Sequence, residues 1–151
     1  MTPVKRVGGR VLVLDPAGRV LLIHERIEAD QTHWLTPGGG LEPGEIPVRA
    51  ACRETFEETG LRIELPDDSK SVLETRRSWS WAGVTYDQVD HYFVARVAAG
   101  AQVAPQGLTA MEHETLIGHC WWSIGELCAT SEVVVPPELA AVLTRLVAAD
   151  G

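Results

Sequence analysis

Apolar and polar positions along the chain first follow the two-residue spacing of β-strands. Apolar runs at residues 10–14 and 20–24 flank the sequence Asp15-Pro16-Ala17-Gly18. Proline fixes φ in such a turn and glycine closes it, so the pattern predicts a β-hairpin over residues 10–24. A polar loop is expected next, followed by Trp34-Leu35 and a glycine-rich segment at 37–40.

The most regular helical pattern covers residues 47–59. Pro47 suits the first turn of a helix, and Gly60 suits the position just past its end. The positions expected to face the core share one side of this helix: Val48, Ala51, Cys52, Thr55 and Thr59.

Further elements follow the helix. The pattern predicts strands at residues 61–65, 72–81, 88–97 and 120–122. It predicts two more helices at 123–128 and 137–149, and a loop at 100–110. Strands interleaved with helices indicate an α/β fold, in which helices pack on a mixed β-sheet.

Composition indicates a globular protein. The 151 residues suit one domain, expected over residues 1–151, and 45% of them are hydrophobic. No run approaches the roughly 20 apolar residues that cross a bilayer. The N-terminal residues lack the pattern of a secretion signal, so a cytoplasmic location is expected. The net charge of -8 disfavours general nucleic-acid binding and membrane binding, although a divalent cation could still admit a small polyphosphate.

Three carboxylates are predicted to share one face of the 47–59 helix. Glu54, Glu57 and Glu58 stand at i, i+3 and i+4. They repel one another, and the last two lie near the helix C-terminus, where negative charge is disfavoured. Mg²⁺ or Mn²⁺ would relieve both costs, since these ions prefer carboxylate oxygens. The alternative is an acidic surface in contact with water alone.

The segment before the helix favours the metal site. Residues 37–44 form a loop rich in glycine, in which the backbone can approach a metal or a phosphate closely. Glu45 adds a further carboxylate at the helix entrance. A glycine-rich loop that leads into a helix with an acidic face is typical of a metal–phosphate site.

This stretch resembles the signature of the Nudix hydrolase family, G-x5-E-x7-R-E-U-x-E-E-x-G-U, where U is a bulky aliphatic residue. Five residues separate Gly39 from Glu45, and seven more separate Glu45 from the run Arg53-Glu54-Thr55-Phe56-Glu57-Glu58-Thr59-Gly60-Leu61. The one departure is Thr55, which stands at an aliphatic position. We expect its hydroxyl to bond a helix carbonyl and to lower stability without affecting chemistry.

The resemblance implies a fold, an activity and a set of residue roles. The fold is an α/β/α sandwich, and the activity is Mg²⁺- or Mn²⁺-dependent hydrolysis of a pyrophosphate linkage in a nucleoside diphosphate derivative. Glu57 and Glu58 would bind the metal with the carbonyl of Gly39, and Glu54 would be a further ligand or the base that deprotonates water. Arg53 would orient Glu45 through a bidentate pair.

Several points stay open at this stage. A later glutamate often joins the site in this family, and the candidates are Glu112 and Glu114, whose alternative is a solvated loop. Trp34 is the candidate for contact with the nucleobase, beside the backbone of Gly38, Gly39 and Gly40. The sequence does not specify the substrate, the bond cleaved, the preferred metal or whether the chain forms a homodimer. The alternative function is a non-catalytic nucleotide-sensing module on the same fold.

Overall fold

A mixed β-sheet forms the centre of the computed structural model, which describes residues 2–28 and 30–150. Met1, Ala29 and Gly151, which belong to the predicted domain, lie outside the described residues. The strands are β1 (Val4–Leu14), β2 (Val20–Glu28), β3 (Gln31–Leu35), β4 (Gly38–Gly40), β5 (Leu73–Trp81), β6 (Val84–Arg96), β7 (Leu116–Trp122) and β8 (Val134–Val135). The helices are α1 (Pro47–Thr59), α2 (Ala110–Thr115), α3 (Ile124–Ala129) and α4 (Leu139–Asp150).

The strands of the sheet are ordered β5-β6-β1-β2-β3-β8, with β4 paired to β1 and β7 paired to β2. The pairs β1–β6 and β3–β8 are parallel, and the remaining pairs are antiparallel. The predicted hairpin closes with Leu14 opposite Val20. Beyond that pair, β1 runs beside β6 along its whole length, so the sheet is mixed as expected.

Alternate residues of the central strands pack into two apolar cores on opposite faces of the sheet. Val11 and Val13 face α1, together with Ala51 and Cys52 of that helix. Leu12 and Leu14 face α4 in the other core. This two-sided burial is typical of α/β/α packing, and the predicted fold class is confirmed.

Helix α1 has the predicted limits, and the core-facing side is also as expected. Pro47 occupies the first turn, and Gly60 ends the helix with a left-handed φ of 75° while its N–H donates to the carbonyl of Phe56. The five residues predicted to face the core are all buried. None of the described helices has both the length and the hydropathy needed to cross a bilayer.

Several sequence-based expectations are wrong in detail. Residues 38–40 of the expected glycine-rich loop form strand β4, and the strands expected at 88–97 and 120–122 begin earlier, at Val84 and Leu116. Residues 61–65 form no strand, because this segment packs on the α1 side of the core without a ladder partner. The expected polar loop after residue 24 is shorter, since β2 continues to Glu28 and pairs with β3 as a second hairpin. The region expected to be loop ends in helix α2, which is started by a capping box between Thr109 and Glu112.

Candidate functional site

Strand β1 brings the glycine-rich segment and helix α1 together. Gly39 of β4 lies opposite Gly9 of β1. A Cβ at Gly9 would lie 1.9 Å from the carbonyl oxygen of Pro47, so only glycine allows the start of α1 to lie this close to the strand. The residues of the sequence motif therefore lie on one surface, with β4 on one side and the acidic face of α1 on the other.

Arg53 and Glu45 form a bidentate pair at the entrance to α1. The Arg53 Nε and Nη2 each donate to one carboxylate oxygen of Glu45 at 2.9 Å. The pair lowers the pKa of Glu45, and it raises the pKa of Arg53, mainly through the same hydrogen bonds. The Glu45 carboxylate also accepts the N–H of Glu42 at 3.0 Å, which fixes the turn before the helix.

The same guanidinium connects the rest of the site. Its Nη2 donates to the carbonyl oxygen of Gly40 at 3.1 Å. Its Nη1 donates to Glu54 at 3.0 Å and to Glu57 at 3.4 Å. Its Nη1 also lies 3.7 Å from Glu42 Oε1. One positive group thus lies among four carboxylates and offsets part of their mutual repulsion.

Glu58 is the most buried of the three carboxylates on this helix face, with 6% of its surface exposed. Burial raises its pKa to about 8, although the N–H of Gly38 and the charge of Arg10 oppose that shift. The Gly38 N–H donates to Glu58 Oε1 at 2.8 Å. Because burial disfavours a charged carboxylate, Glu58 is expected to bind either a proton or a cation.

Glu54 packs directly against the glycine segment. A Cβ at Gly39 would lie 2.7 Å from the Glu54 carboxyl carbon, so any larger residue at position 39 would require the Glu54 carboxylate to move. Burial raises the pKa of Glu54, while the bond from Arg53 opposes the rise. Gly39 and Glu54 are therefore brought together as the sequence motif predicts.

The donor set suits a hard divalent cation, although the described residues form no preformed cage. Within residues 2–28 and 30–150, no three His, Cys, Asp or Glu side chains are already arranged to hold a metal ion. Glu54 and Glu57 instead share the Arg53 guanidinium, and Glu58 lies buried beside them. Carboxylate oxygens next to a backbone carbonyl are the ligands that Mg²⁺ and Mn²⁺ prefer. An ion at this position would compete with Arg53 for Glu54 and Glu57.

The two later glutamates occupy different environments on α2. Glu112 lies close enough to Glu54 and Glu58 for its charge to raise the pKa of both. Its own carboxylate accepts the N–H of Thr109 at 2.9 Å as part of the capping box. Glu114 is exposed on the same helix. The structure thus favours Glu112 as the candidate and places both residues on a helix, where a loop was expected.

Some of the groups expected to contact the substrate already have partners within the protein. The ring of Trp34 stacks on His24 at 4.1 Å and meets the edge of Trp122 at 5.1 Å, so His24 already covers one face of the Trp34 ring. Its indole N–H is buried without a hydrogen-bond partner. The Gly38 N–H is also taken, by Glu58, and cannot serve a phosphate in this arrangement.

Thr55 lies in the core as predicted, but its hydroxyl behaves differently. The buried Thr55 Oγ1 has no hydrogen-bond partner, so the expected bond to a helix carbonyl is wrong. Thr59 makes that kind of bond, with its Oγ1 donating to the carbonyl of Thr55. The Thr55 hydroxyl is an unsatisfied buried group in the apolar stripe of α1.

Sequence reasoning missed a buried ion pair beside the site. Arg10 and Asp90 are 6% and 0% exposed, and their Nε and Oδ2 atoms are 3.3 Å apart. The available signal was a charged residue inside the apolar run at 10–14. Its partner is 80 positions away, and nothing local in the sequence connects the two.

Comparison with known proteins places these features in a family. A family model described as NUDIX domain matches residues 4–145. Among solved structures, the MutT protein from Methanosarcina mazei Go1 has a TM-score of 0.70 at 16% identity, covering 99% of this chain and 98% of that one. The MutT NUDIX hydrolase from Burkholderia pseudomallei has a TM-score of 0.68 at 20% identity, covering 94% and 98%. At these identities the likeness shows the fold.

The curated relatives are more similar in sequence over a shorter stretch. An RNA pyrophosphohydrolase of Bartonella quintana is 38% identical over 63 residues, which cover 41% of this chain and 33% of that protein. One of Rhizobium meliloti is 34% identical over 87 residues, which cover 54% and 46%. The chain therefore spans less than half the length of these curated relatives.

Proposed function

Because this chain belongs to the NUDIX domain family, we propose that it is a divalent-metal-dependent hydrolase that cleaves a pyrophosphate linkage in a nucleoside diphosphate derivative. The observation that carries the proposal is the cluster on α1. Glu54, Glu57 and Glu58 share a face next to the glycine segment, and Arg53 joins two of them to Glu45. Such a cluster costs stability unless a cation offsets it.

The roles follow from position. Glu57 and Glu58 would hold Mg²⁺ or Mn²⁺ together with the Gly39 carbonyl, and Glu112 would approach from α2. Glu54 would be a further ligand or the general base for water. When bound, the metal polarises a phosphoryl oxygen and neutralises charge on the leaving group.

Arg53 has a positioning role in this proposal. Its bidentate bond fixes Glu45. Nη2 of that pair also holds the Gly40 carbonyl, and Nη1 sets the separation of Glu54 and Glu57. Such fixed geometry matters because phosphoryl transfer depends mainly on orientation and on charges already in place.

Two substrate classes remain to be compared by experiment. Small nucleotides suit the net charge of -8, which repels long polyanions. A pyrophosphate at the 5′ end of RNA is the second candidate, because the curated relatives are RNA pyrophosphohydrolases. A short 5′-triphosphorylated RNA therefore belongs in the screen beside nucleoside triphosphates, nucleotide sugars, ADP-ribose and dinucleoside polyphosphates.

The test is phosphate and pyrophosphate release by the purified chain with Mg²⁺, Mn²⁺ or EDTA. We expect turnover that requires the cation, and a kcat lowered by orders of magnitude in both Glu57→Gln and Glu58→Gln. Glu132→Gln is the matched control, since Glu132 is exposed outside the site. Full activity in both site variants would contradict the metal assignment. Nucleotide binding without turnover under every condition would favour the sensing module instead.

A further inference from the structure

A chain of hydrogen bonds, buried except at its half-buried Trp79 end, connects the β5–β6 hairpin to the segment before the glycines. Trp79 Nε1 donates to Gln88 Oε1 at 2.8 Å, and Gln88 Nε2 donates to Asp90 Oδ1 at 2.8 Å. The other oxygen of Asp90 accepts Arg10 Nε at 3.3 Å. Arg10 Nη1 completes the chain by donating to the carbonyl oxygen of Thr36 at 2.7 Å.

The Thr36 carbonyl is the point where this chain reaches the candidate site. Two residues later, the Gly38 N–H donates to Glu58. A Cβ at Gly38 would lie 2.5 Å from Arg10 Cγ, so the arginine side chain packs directly against the glycine backbone. Arg10 therefore holds this backbone by a hydrogen bond on one residue and by contact on another.

Stability alone is a poor explanation for the Arg10–Asp90 pair. Removing two charges from water costs about as much as their attraction returns, and apolar residues of similar size often serve a core equally well. The four positions of β1 that follow Arg10 are filled by buried valine and leucine. What apolar residues could not supply is a fixed donor to the Thr36 carbonyl and a positive charge near Glu58.

We propose that Arg10, held by Asp90, is a positioning residue that fixes segment 36–40 so that the Gly38 N–H and the Gly39 carbonyl meet the metal-binding face of α1. This inference rests on the proposed function for its link to metal. Its geometric part, the bond from Gly38 to Glu58, can be measured independently of any activity.

The experiment compares Arg10→Met and Arg10→Lys with the unchanged chain. The first readout is the Gly38 amide in metal-free protein, observed by NMR as its proton shift and its hydrogen-exchange rate. The second is Mn²⁺ affinity by electron paramagnetic resonance, followed by kcat and KM. We expect Arg10→Met to weaken the Gly38 bond and to lower Mn²⁺ affinity and kcat by about 10-fold or more, as the loss of residues that orient metal ligands does. Arg10→Lys should have a Mn²⁺ affinity and a kcat between those of Arg10→Met and the unchanged chain, because lysine keeps the charge but lacks the rigid planar guanidinium.

Two controls separate positioning from general destabilisation. Arg19→Met removes the Arg19–Asp15 ion pair, at 2.7 Å, from the other end of β1. Leu22→Ala removes buried volume beside α4. Both should keep Mn²⁺ affinity within about twofold of the unchanged chain. Equal losses in Leu22→Ala and Arg10→Met at matched stability would overturn the proposal.

A second variant keeps the test decisive if Arg10→Met does not fold. Asp90→Asn keeps the shape of the side chain and removes the charge that holds Arg10, so the Gly38 amide should again shift and exchange faster. An unchanged Gly38 amide in Asp90→Asn would overturn the positioning role. If the unchanged chain binds no Mn²⁺, the proposed function fails, and the Gly38 amide then decides the positioning role by itself.

Discussion

Arg53 and Glu45 are joined by two hydrogen bonds of 2.9 Å, and this pair orients the helix entrance toward the glycine segment. Arg53 Nη2, which is part of this pair, also donates to the carbonyl oxygen of Gly40, and Nη1 donates to Glu54 and Glu57. The guanidinium thus ties the loop carbonyl, the helix entrance and the acidic face to one rigid plane.

Arg53→Lys should lower kcat by about 10-fold or more, because an ammonium group cannot make the same planar set of bonds. The free energy of unfolding should fall by only about 1 kcal/mol, since the pair is partly exposed to water. Steady-state kinetics and urea unfolding measure the two effects. Arg49→Lys is the matched control on the same helix, because Arg49 pairs with the exposed Asp67. A kcat as high in Arg53→Lys as in Arg49→Lys would refute this role.

The metal-free protein should lose stability as pH rises from about 4.5 to about 8. Burial raises the pKa of Glu58 from its ordinary 4.5 to about 8, so in this range the unfolded chain releases a proton that the folded chain retains. The stability is fully present below pH 4.5 and is lost as pH approaches 8, by an amount on the order of a few kcal/mol.

Urea unfolding in EDTA from pH 5 to 9 measures this dependence, and Glu58→Gln isolates it. The difference in slope between the two proteins belongs to Glu58, since all other groups are shared. Added Mg²⁺ should restore stability most strongly near pH 8, where the ion replaces the missing proton. Parallel curves for the two proteins would contradict the assignment.

Thr55→Val should stabilise the protein by about 1 kcal/mol without changing kcat, because it removes an unsatisfied hydroxyl from an apolar stripe. Thr59→Val is the opposite case on the same helix. The Thr59 hydroxyl donates to the carbonyl of Thr55 and accepts the N–H of Leu61, so its loss should destabilise by about 1–3 kcal/mol. Chemical denaturation of both variants checks the contrast, and a destabilised Thr55→Val would exclude the explanation.

Gly39→Ala should displace Glu54 and lower kcat by about 10-fold or more, because the new methyl group would overlap the carboxylate. Gly118→Ala is the control, since a Cβ at Gly118 in β7 meets nothing within 4 Å. Kinetics should show a large difference in kcat between the two variants, whereas thermal unfolding should show a smaller difference in stability. Wild-type activity in Gly39→Ala would show that Glu54 tolerates a different position.

Glu112→Gln should weaken Mn²⁺ binding, whereas Glu114→Gln should leave it within about twofold. Glutamine preserves the capping box at Thr109, so α2 remains in place while the charge near Glu54 and Glu58 is removed. Isothermal titration with Mn²⁺ measures both variants. Equal affinities in the two would exclude Glu112 from the metal site.

Local chemistry made the central helix predictable. Pro47 and Gly60 mark its two ends, and the spacing from Glu45 to Glu58 places the carboxylates without knowledge of the rest of the fold. Helix α2 could also have been predicted, because Thr109 and Glu112 stand at the spacing of a capping box in the sequence. Helix α2 was not predicted because this capping box was overlooked.

Long-range pairing could not be deduced in the same way. Residues 61–65 have a strand-like composition, but a strand forms only where a segment pairs with a neighbour in the sheet, and in the described residues this segment forms no strand. For the same reason, the partner of Arg10 could not be predicted from the local sequence. Asp90 meets it only because β1 lies parallel to β6 in one register, with Gly8 opposite Asp90 and Arg10 opposite Tyr92.

That parallel register has a consequence for biosynthesis. The ribosome delivers β1, the glycine segment and α1 long before it delivers β6, which ends at Arg96. Until then Arg10 has no Asp90 to pair with, and one side of β1 is uncovered. The nascent chain therefore carries its complete acidic helix before the site can take its final shape, and folding of the site waits for the strand that contributes none of the proposed metal ligands.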